Sequence, residues 1–256
     1  MTACTTTTAR VLRSWIRFGK RSISGERPCG SRSPKCKRSL CPRLPTNSME
    51  TATAIGMVVL GYLSGSILTC QLIGRKIGVD LYRVGTRNPG AANLYRNGGR
   101  IYGIIGFVLD AAKGVIPVFL ANGVLGLSPW VAALVGIAAI AGHDWPLYFK
   151  FHGGRGLSTS IGVTAYLLFQ PFLIALLVGT FVGLIARGIP AIRGYAIPIG
   201  GAAGFLVMLI ISTYTGEPAP LVFYVFAASV VGLIRNLPPF LRLVREWEKT
   251  YVSPRL

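Results

Sequence analysis

From residue 54 almost to its C-terminus, the chain alternates long apolar segments with short polar joints. A helix needs about 20 apolar residues to cross the hydrocarbon core of a bilayer, with about 17 as a lower limit. Helices are favoured there because lipid offers no partners for backbone N–H and C=O groups. We predict transmembrane helices near residues 54–74, 101–122, 129–149, 157–170, 171–186, 195–213 and 219–235.

These segments predict an all-α fold, a polytopic integral membrane helical bundle of about seven transmembrane helices. In agreement, 14% of the residues are charged, against about 25% in soluble domains. The fourth and fifth segments are the weakest, because Pro171 interrupts a continuous apolar run and segment 157–170 is short. A half-span or a re-entrant piece is an alternative for segment 157–170, provided that protein buries it.

The basic residues indicate which side of the membrane each joint occupies. Joints 123–128 and 214–218 carry only Glu217 as a charged residue. Nearly all Lys and Arg of the apolar region lie in joints 75–100, 150–156 and 187–193 and in the C-terminal tail. Because cytoplasmic joints carry an excess of Lys and Arg, we predict these basic segments on the cytoplasmic side of the cell membrane, with the N-terminus outside.

Residues 1–50 differ in composition, with eleven Lys and Arg against two Glu and many Ser, Thr and Pro. Three interpretations stay open: an organelle transit peptide, a disordered tail, or an over-long gene model whose translation begins at Met49 or Met57. Nucleic-acid binding is not expected, because the chain downstream contains no nucleic-acid-binding module. We therefore divide the chain into a basic leader, residues 1–50, and a membrane domain, residues 51–256.

Several familiar catalytic motifs are absent from the sequence. It contains neither a G-x-S-x-G turn nor a G-x-x-x-x-G-K-[ST] phosphate loop. The His-x-x-x-x-Asp pair of one large acyltransferase class is missing, since Tyr148 stands five positions after His143. The carboxylates are too few for a two-metal site, and the cysteine spacing matches no zinc pattern. Any reaction must therefore use positioned cations and backbone donors, and we predict no metal or cofactor.

Two joints on the predicted cytoplasmic side combine glycine with arginine. The longer, Gly85–Arg100, contains three arginines, three asparagines and no carboxylate. The shorter, Gly153-Gly154-Arg155-Gly156, follows Lys150. Glycine lets backbone N–H groups turn toward a ligand, and the arginine fork matches phosphate oxygens. Together the two loops predict an anion site for a phosphorylated substrate.

Polar residues inside the predicted spans are further candidates. Asp110 and Lys113 are three residues apart and share one helix face, so they form either a structural ion pair or part of the site. His143, at the end of the third span, either caps the helix or serves the site. His152 is interpreted as a loop residue.

The order and spacing of these motifs resemble the bacterial acyl-phosphate:glycerol-3-phosphate acyltransferases. The first loop of that family typically reads G-S-G-N-P-G-A-T-N-x-x-R, which matches Gly85–Arg96, and Gly65-Ser66 precede it in the first span. Three further motifs follow in the family's order: Asp110-x-x-Lys113-Gly114, Gly142-His143-x-x-Pro146 and Phe151-x-Gly153-Gly154-Arg155-Gly156. The resemblance covers about residues 55–250.

The resemblance implies an integral membrane enzyme of seven spans with its site on the cytoplasmic face. Such an enzyme moves a fatty acyl group from acyl phosphate to the 1-hydroxyl of glycerol 3-phosphate. The products are lysophosphatidate and phosphate, in the first step of phospholipid synthesis. The resemblance also implies two kinds of partner: an enzyme upstream that produces acyl phosphate, and the lipids of the surrounding membrane. The oligomeric state stays open.

By position, the resemblance assigns Arg96 and Arg155 to substrate phosphates and Thr86 to the place of a site serine. These three residues are the expected catalytic residues. The residues expected to bind substrate or to shape its loop are Asn88, Gly90, Asn93, Lys113, His143, Gly153, Gly154 and Asn236.

The chain also departs from the family pattern. Thr86 replaces a serine, Arg87 a glycine, Ala92 a threonine and Arg155 a lysine. The joint 189–192 lacks a family hydroxyl, and Pro239 stands where the family has an asparagine, with Asn236 as the nearby replacement. These departures keep a second hypothesis open: a non-catalytic or re-purposed paralogue that binds a phosphorylated lipid or anion at the membrane surface.

Overall fold

The structure, a computed structural model, describes residues 48–190 and 192–247. The predicted leader lies outside the described residues except for Ser48–Glu50, which begin the first helix. Ala191 and the side chain of Pro239, at two of the divergent positions, also lie outside the described part.

All regular structure within the described ranges is helical, which confirms the predicted all-α class. A π-helical turn, Leu120–Val124, extends the fourth helix, and 3-10 turns occupy Leu147–Phe149 and Arg193–Tyr195. In chain order the α-helices of the described ranges are α1 (Ser48–Gly65), α2 (Thr69–Lys76), α3 (Ala91–Asn97), α4 (Arg100–Phe119), α5 (Pro129–Asp144), α6 (Leu157–Leu167), α7 (Phe169–Gly188), α8 (Ala196–Tyr214) and α9 (Ala219–Trp247).

Six stretches of the described chain are long and apolar enough to cross a bilayer. They are Ser48–Lys76, Arg100–Val124, Pro129–Phe149, Phe169–Gly188, Arg193–Tyr214 and Ala219–Leu237. The remaining predicted segment, 157–170, corresponds to the 11-residue helix α6, which is about 16 Å long and too short to cross alone. In place of the seven predicted spans, the described part of the chain has six spanning stretches and one short helix, so the count of seven is not confirmed.

The break between α6 and α7 lies at Leu168, three residues before the proline that the sequence singles out. Leu168 has φ −140° and ψ 56°, which ends α6, and α7 begins at Phe169. Pro171 lies in the first turn of α7. Backbone N–H groups in that turn have no acceptor within the helix, so the N–H that proline lacks costs no hydrogen bond. Pro171 is thus compatible with the start of α7.

Close contact between α1 and α5 sets the position of the residues that follow each helix. A Cβ at Gly65 would lie 2.0 Å from the carbonyl oxygen of Ala139, and a Cβ at Gly142 would lie 2.1 Å from that of Tyr62. Small residues allow such backbone contact between membrane helices. The C-terminal ends of α1 and α5 are consequently held side by side.

We predict that Gly65→Ala destabilises the bundle by about 1–3 kcal/mol, because the added methyl group overlaps the α5 backbone. Gly56→Ala, on the same helix, is the matched control, since no atom lies within 4 Å of its Cβ position. Thermal unfolding of the purified protein in detergent measures both. Equal midpoints for the two variants would contradict the close α1–α5 contact.

Candidate active site

The side chain of Lys113, on α4, is the centre of a buried polar network. Its Nζ lies 2.8 Å from Oδ1 of Asp110, 2.7 Å from the carbonyl oxygen of Ile67 and 2.9 Å from Nδ1 of His143. Lys113 is 6% exposed, Asp110 0% and His143 3%. An ammonium group has three N–H donors, and each of those of Lys113 meets one acceptor in a largely buried site.

The same network joins the ends of several helices. Thr69, on α2, donates its hydroxyl to Oδ1 of Asp110 at 2.6 Å, and the Cys70 thiol donates to Oδ2 at 3.1 Å. Ser64, near the end of α1, donates its hydroxyl to the carbonyl oxygen of Lys113 at 2.8 Å. A buried ion pair is tolerated when its remaining hydrogen-bonding positions are filled. The network therefore fixes α1, α2 and α5 against α4.

The glycine–arginine loop lies directly on His143. The N–H of Gly154 donates to the His143 carbonyl oxygen at 3.0 Å. A Cβ at Gly154 would lie 2.1 Å from Nε2 of His143, and a Cβ at Gly153 would lie 2.2 Å from its carbonyl oxygen. Both positions therefore require glycine, because any larger residue would lift the loop, and Arg155 with it, off the imidazole.

Arg235, at the C-terminal part of α9, holds this loop from the other side. Its Nε donates to the Gly154 carbonyl oxygen at 2.8 Å, and its Nη2 donates to that of Gly153 at 2.7 Å. The guanidinium carbon lies 5.9 Å from the centre of the Trp145 ring, within range of a cation–π interaction. The planar fork of arginine is suited to two parallel hydrogen bonds, which lysine cannot reproduce.

We predict that Arg235→Lys lowers kcat/KM of the reaction proposed below about tenfold, since one charge-assisted hydrogen bond to the loop is lost. Arg193→Lys is the matched control, because Arg193 is exposed in a turn. Steady-state kinetics and the thermal midpoint are measured together. An unchanged kcat/KM in the Arg235 variant would contradict the proposed clamp.

Asn93, at the start of α3, organises the longer loop. Its Nδ2 donates to the carbonyl oxygens of Leu81 and Val84, both at 3.1 Å. Its Oδ1 accepts from the Thr86 N–H at 3.2 Å and from Nδ2 of Asn97 at 2.9 Å. The four hydrogen-bonding positions of the Asn93 amide are thus occupied within the protein, and Asn93 shapes the loop.

The residues of the longer loop that are expected to bind substrate are exposed or half-buried. Thr86, Arg87 and Arg96 are exposed, whereas Asn88 and Gly90 are half-buried. Arg87 has φ 54°, a left-handed conformation that favours glycine. The backbone at this position therefore has a conformation that suits the glycine of the family pattern, while the side chain adds a cation.

A buried glutamine fastens the beginning of the same loop. Nε2 of Gln71 donates to Oδ1 of Asp80 at 2.9 Å, and Oε1 of Gln71 accepts from the Leu81 N–H at 3.2 Å. The hydrogen bond from Gln71 holds the pKa of Asp80 below its usual value. Asp80 is therefore ionised at neutral pH, where it also pairs with the exposed Arg83 at 3.3 Å.

Two contacts connect the chain segments that lead into the two loops. The Tyr82 hydroxyl donates to the carbonyl oxygen of His152, and the Arg75 guanidinium lies 5.7 Å from the centre of the Phe149 ring. Burial raises the pKa of Tyr82, so its hydroxyl remains protonated and able to donate at neutral pH. Joints 75–100 and 150–156 consequently lie on the same side of the bundle.

Two polar groups near the glycine–arginine loop lack a hydrogen-bond partner among the described residues. They are the carboxylate of Asp144 and Oδ1 of Asn236, whose Nδ2 donates to the Gly232 carbonyl oxygen at 2.8 Å. A Cβ at Gly156 would lie 2.9 Å from Oδ1 of Asp144. Such unsatisfied groups are expected mainly at functional or strained sites.

The structure thus brings Lys113, His143, Gly153 and Gly154 into one contiguous cluster, with Arg155 next along the chain. Thr86 and Asn93 belong to the other loop. Arg235 is the main residue that sequence reasoning missed. Its partners are backbone carbonyl oxygens, which no pattern of side chains reveals.

Long apolar helices that carry a glycine–arginine loop beside a buried lysine–histidine pair define an integral membrane protein. A sequence profile of glycerol-3-phosphate acyltransferases matches residues 55–246. The chain is 33% identical over 195 residues to the glycerol-3-phosphate acyltransferase of Rubrobacter xylanophilus, an alignment that covers 76% of this chain and 94% of the relative.

Two crystal structures of PlsY (YgiH), an integral membrane glycerol 3-phosphate acyltransferase, are similar in fold. The glycerol 3-phosphate form has a TM-score of 0.68 at 30% identity, and the lysophosphatidic acid form has 0.66 at 28%. Each similarity covers 76% of this chain and 93% of the other. The present chain belongs to the glycerol-3-phosphate acyltransferase family, and the predicted resemblance and membrane bundle are confirmed.

Proposed function

We propose that this protein transfers a fatty acyl group from acyl phosphate to the 1-hydroxyl of glycerol 3-phosphate. The products are lysophosphatidate and phosphate. The observation that carries the proposal is the glycine–arginine loop, which is pressed onto His143 and clamped by Arg235 in a chain of this family. This arrangement favours the enzyme over the non-catalytic paralogue.

The reaction needs little acid–base catalysis from side chains, because acyl phosphate is already activated. The hydroxyl oxygen of glycerol 3-phosphate forms a bond to the acyl carbon, and the bond from that carbon to the phosphate oxygen breaks. The hydroxyl proton passes to the departing phosphate, so the substrate supplies its own base. The protein contributes orientation and neutralisation of phosphate charge.

We assign the phosphate charges to Arg96 and Arg155, one from each loop. Thr86 offers a hydroxyl in the longer loop, and Asn88 and Gly90 follow it in the same loop. Asn236 lies one residue after the clamping Arg235, and its amide oxygen has no hydrogen-bond partner among the described residues. Arg155 is half-buried, so its field is screened less by water than that of the exposed Arg96.

We predict that Arg96→Ala and Arg155→Ala each lower acyl transfer by at least about a hundredfold, since each removes a charge-assisted phosphate contact. Arg155→Lys retains the charge and is expected to retain partial activity. Arg83→Ala is the control in the same loop region, because its side chain is 86% exposed and exposed ion pairs contribute little. Normal turnover in either alanine variant, with purified folded protein, would contradict the phosphate assignment.

An apolar pocket of about 300 Å³ between α6, α7 and α8 suits the acyl chain. At one end its wall includes Leu157, directly after the glycine–arginine loop, and Arg187, at the end of α7. At the other end it reaches Phe172 and Met208. From Ile197 to Met208 the axis of α8 rises about 16 Å, so the pocket runs deep along the helices.

We predict that Met208→Ala shifts the preference toward longer acyl phosphates, because Met208 lines the deep end of the pocket. Each additional buried methylene contributes about 0.8 kcal/mol, or roughly fourfold in affinity. Leu206→Ala is the matched control on α8, since Leu206 is 60% exposed. A chain-length series assayed with both variants measures the shift, and identical profiles would rule out the pocket as the acyl site.

The basic joints favour the cytoplasmic face of the cell membrane for this site. There the enzyme would receive acyl phosphate from an enzyme that produces it. We propose that the membrane domain, residues 51–256, is sufficient for transfer and that the leader is dispensable.

A further inference from the structure

We propose that Lys113 and Asp110 are positioning residues that hold His143 in a single neutral tautomer, with its proton on Nε2, toward the Gly153–Arg155 loop. This inference concerns the anion site described above and rests on the proposed function only for its kinetic test. It assigns Lys113 a role that acts through His143 and not on the substrate.

The first argument is the donor count at Lys113. Its three N–H groups meet Asp110, the Ile67 carbonyl oxygen and Nδ1 of His143, at 2.7–2.9 Å. A lysine ammonium has no acceptor capacity. Nδ1 of His143 must therefore accept, and in a neutral imidazole the proton is then on Nε2.

The second argument is charge balance. Asp110 and Lys113 neutralise each other at 2.8 Å in a nearly dry site. An imidazolium at His143 would add an N–H facing the ammonium group at 2.9 Å. It would also place a second buried positive charge beside the Asp110 carboxylate, which the Lys113 ammonium already neutralises, and this is costly. The neutral imidazole avoids both penalties.

The third argument is where Nε2 points. Gly154 lies so close that a Cβ there would stand 2.1 Å from Nε2. The Nε2–H donor consequently faces the loop that carries Arg155, where we place a substrate phosphate. Thr69 and Cys70 donate hydrogen bonds to the Asp110 carboxylate. These hydrogen bonds hold Asp110, and through it Lys113, in place beside the imidazole.

The chain offers an internal reference, because it contains only two histidines. Nδ1 of His152 lies 2.7 Å from the carbonyl oxygen of Lys150. A carbonyl oxygen only accepts, so Nδ1 of His152 must carry a proton. The two histidines are therefore expected in opposite tautomers when both are neutral.

The test is an NMR spectrum of the full chain, labelled with ¹⁵N-histidine and reconstituted in lipid nanodiscs at neutral pH. We expect His143 with Nε2 protonated and Nδ1 unprotonated, whereas His152 has a protonated Nδ1. The His152→Asn variant lacks the His152 signals, so the remaining signals belong to His143. A protonated Nδ1 at His143, as either the other tautomer or the imidazolium, would overturn the proposal whether or not the protein transfers acyl groups.

A double-mutant cycle separates positioning from direct substrate contact. Lys113→Met is expected to lower kcat at least about tenfold in the otherwise unchanged protein, and less than about twofold when His143→Ala is already present. An equal loss in both backgrounds would mean that Lys113 acts on the substrate itself and would overturn the proposal. If Lys113→Met fails to fold, Lys113→Arg, which keeps the charge paired with Asp110, replaces it in the same cycle.

Discussion

The site depends on the interactions of one group, the ammonium group of Lys113. It binds a carboxylate, a backbone carbonyl oxygen and an imidazole nitrogen at once, with little access for water. Removing any one partner would leave a buried polar group unsatisfied, at a cost of roughly 1–3 kcal/mol or more for a charged group. The network therefore fixes the imidazole of His143, and the imidazole in turn determines how closely the glycine–arginine loop can approach.

Two close glycine contacts make this site geometry possible, one between two helices and one between a loop and His143. Gly65 lets α1 touch α5, which brings Ile67 and His143 to the same ammonium group. Gly154 lets the loop descend onto the imidazole, and Arg235 then clamps the loop carbonyls from α9. Packing between the helices thus sets the geometry of the polar cluster at the end of the bundle, where we propose that charged substrates bind.

Much of the architecture could be predicted from the sequence, because hydropathy and basic joints directly reflect the requirements of a bilayer. The motif residues could be located through spacing. The contacts of Lys113 could not be predicted, since its charge and position suggest a substrate cation, while its partners at Ile67 and His143 depend on the tertiary fold. Arg235 was missed for the same reason, and the short α6 reflects a break at Leu168 that no proline marks.

The most direct test of the central claim is the stoichiometry of the reaction. Purified protein in nanodiscs is given acyl phosphate with and without glycerol 3-phosphate, and phosphate and lysophosphatidate are both quantified. Equal amounts of the two products, and negligible phosphate without glycerol 3-phosphate, are the predicted result. Phosphate release to water without lysophosphatidate, or no turnover by folded protein, would contradict the assignment of this site to acyl transfer.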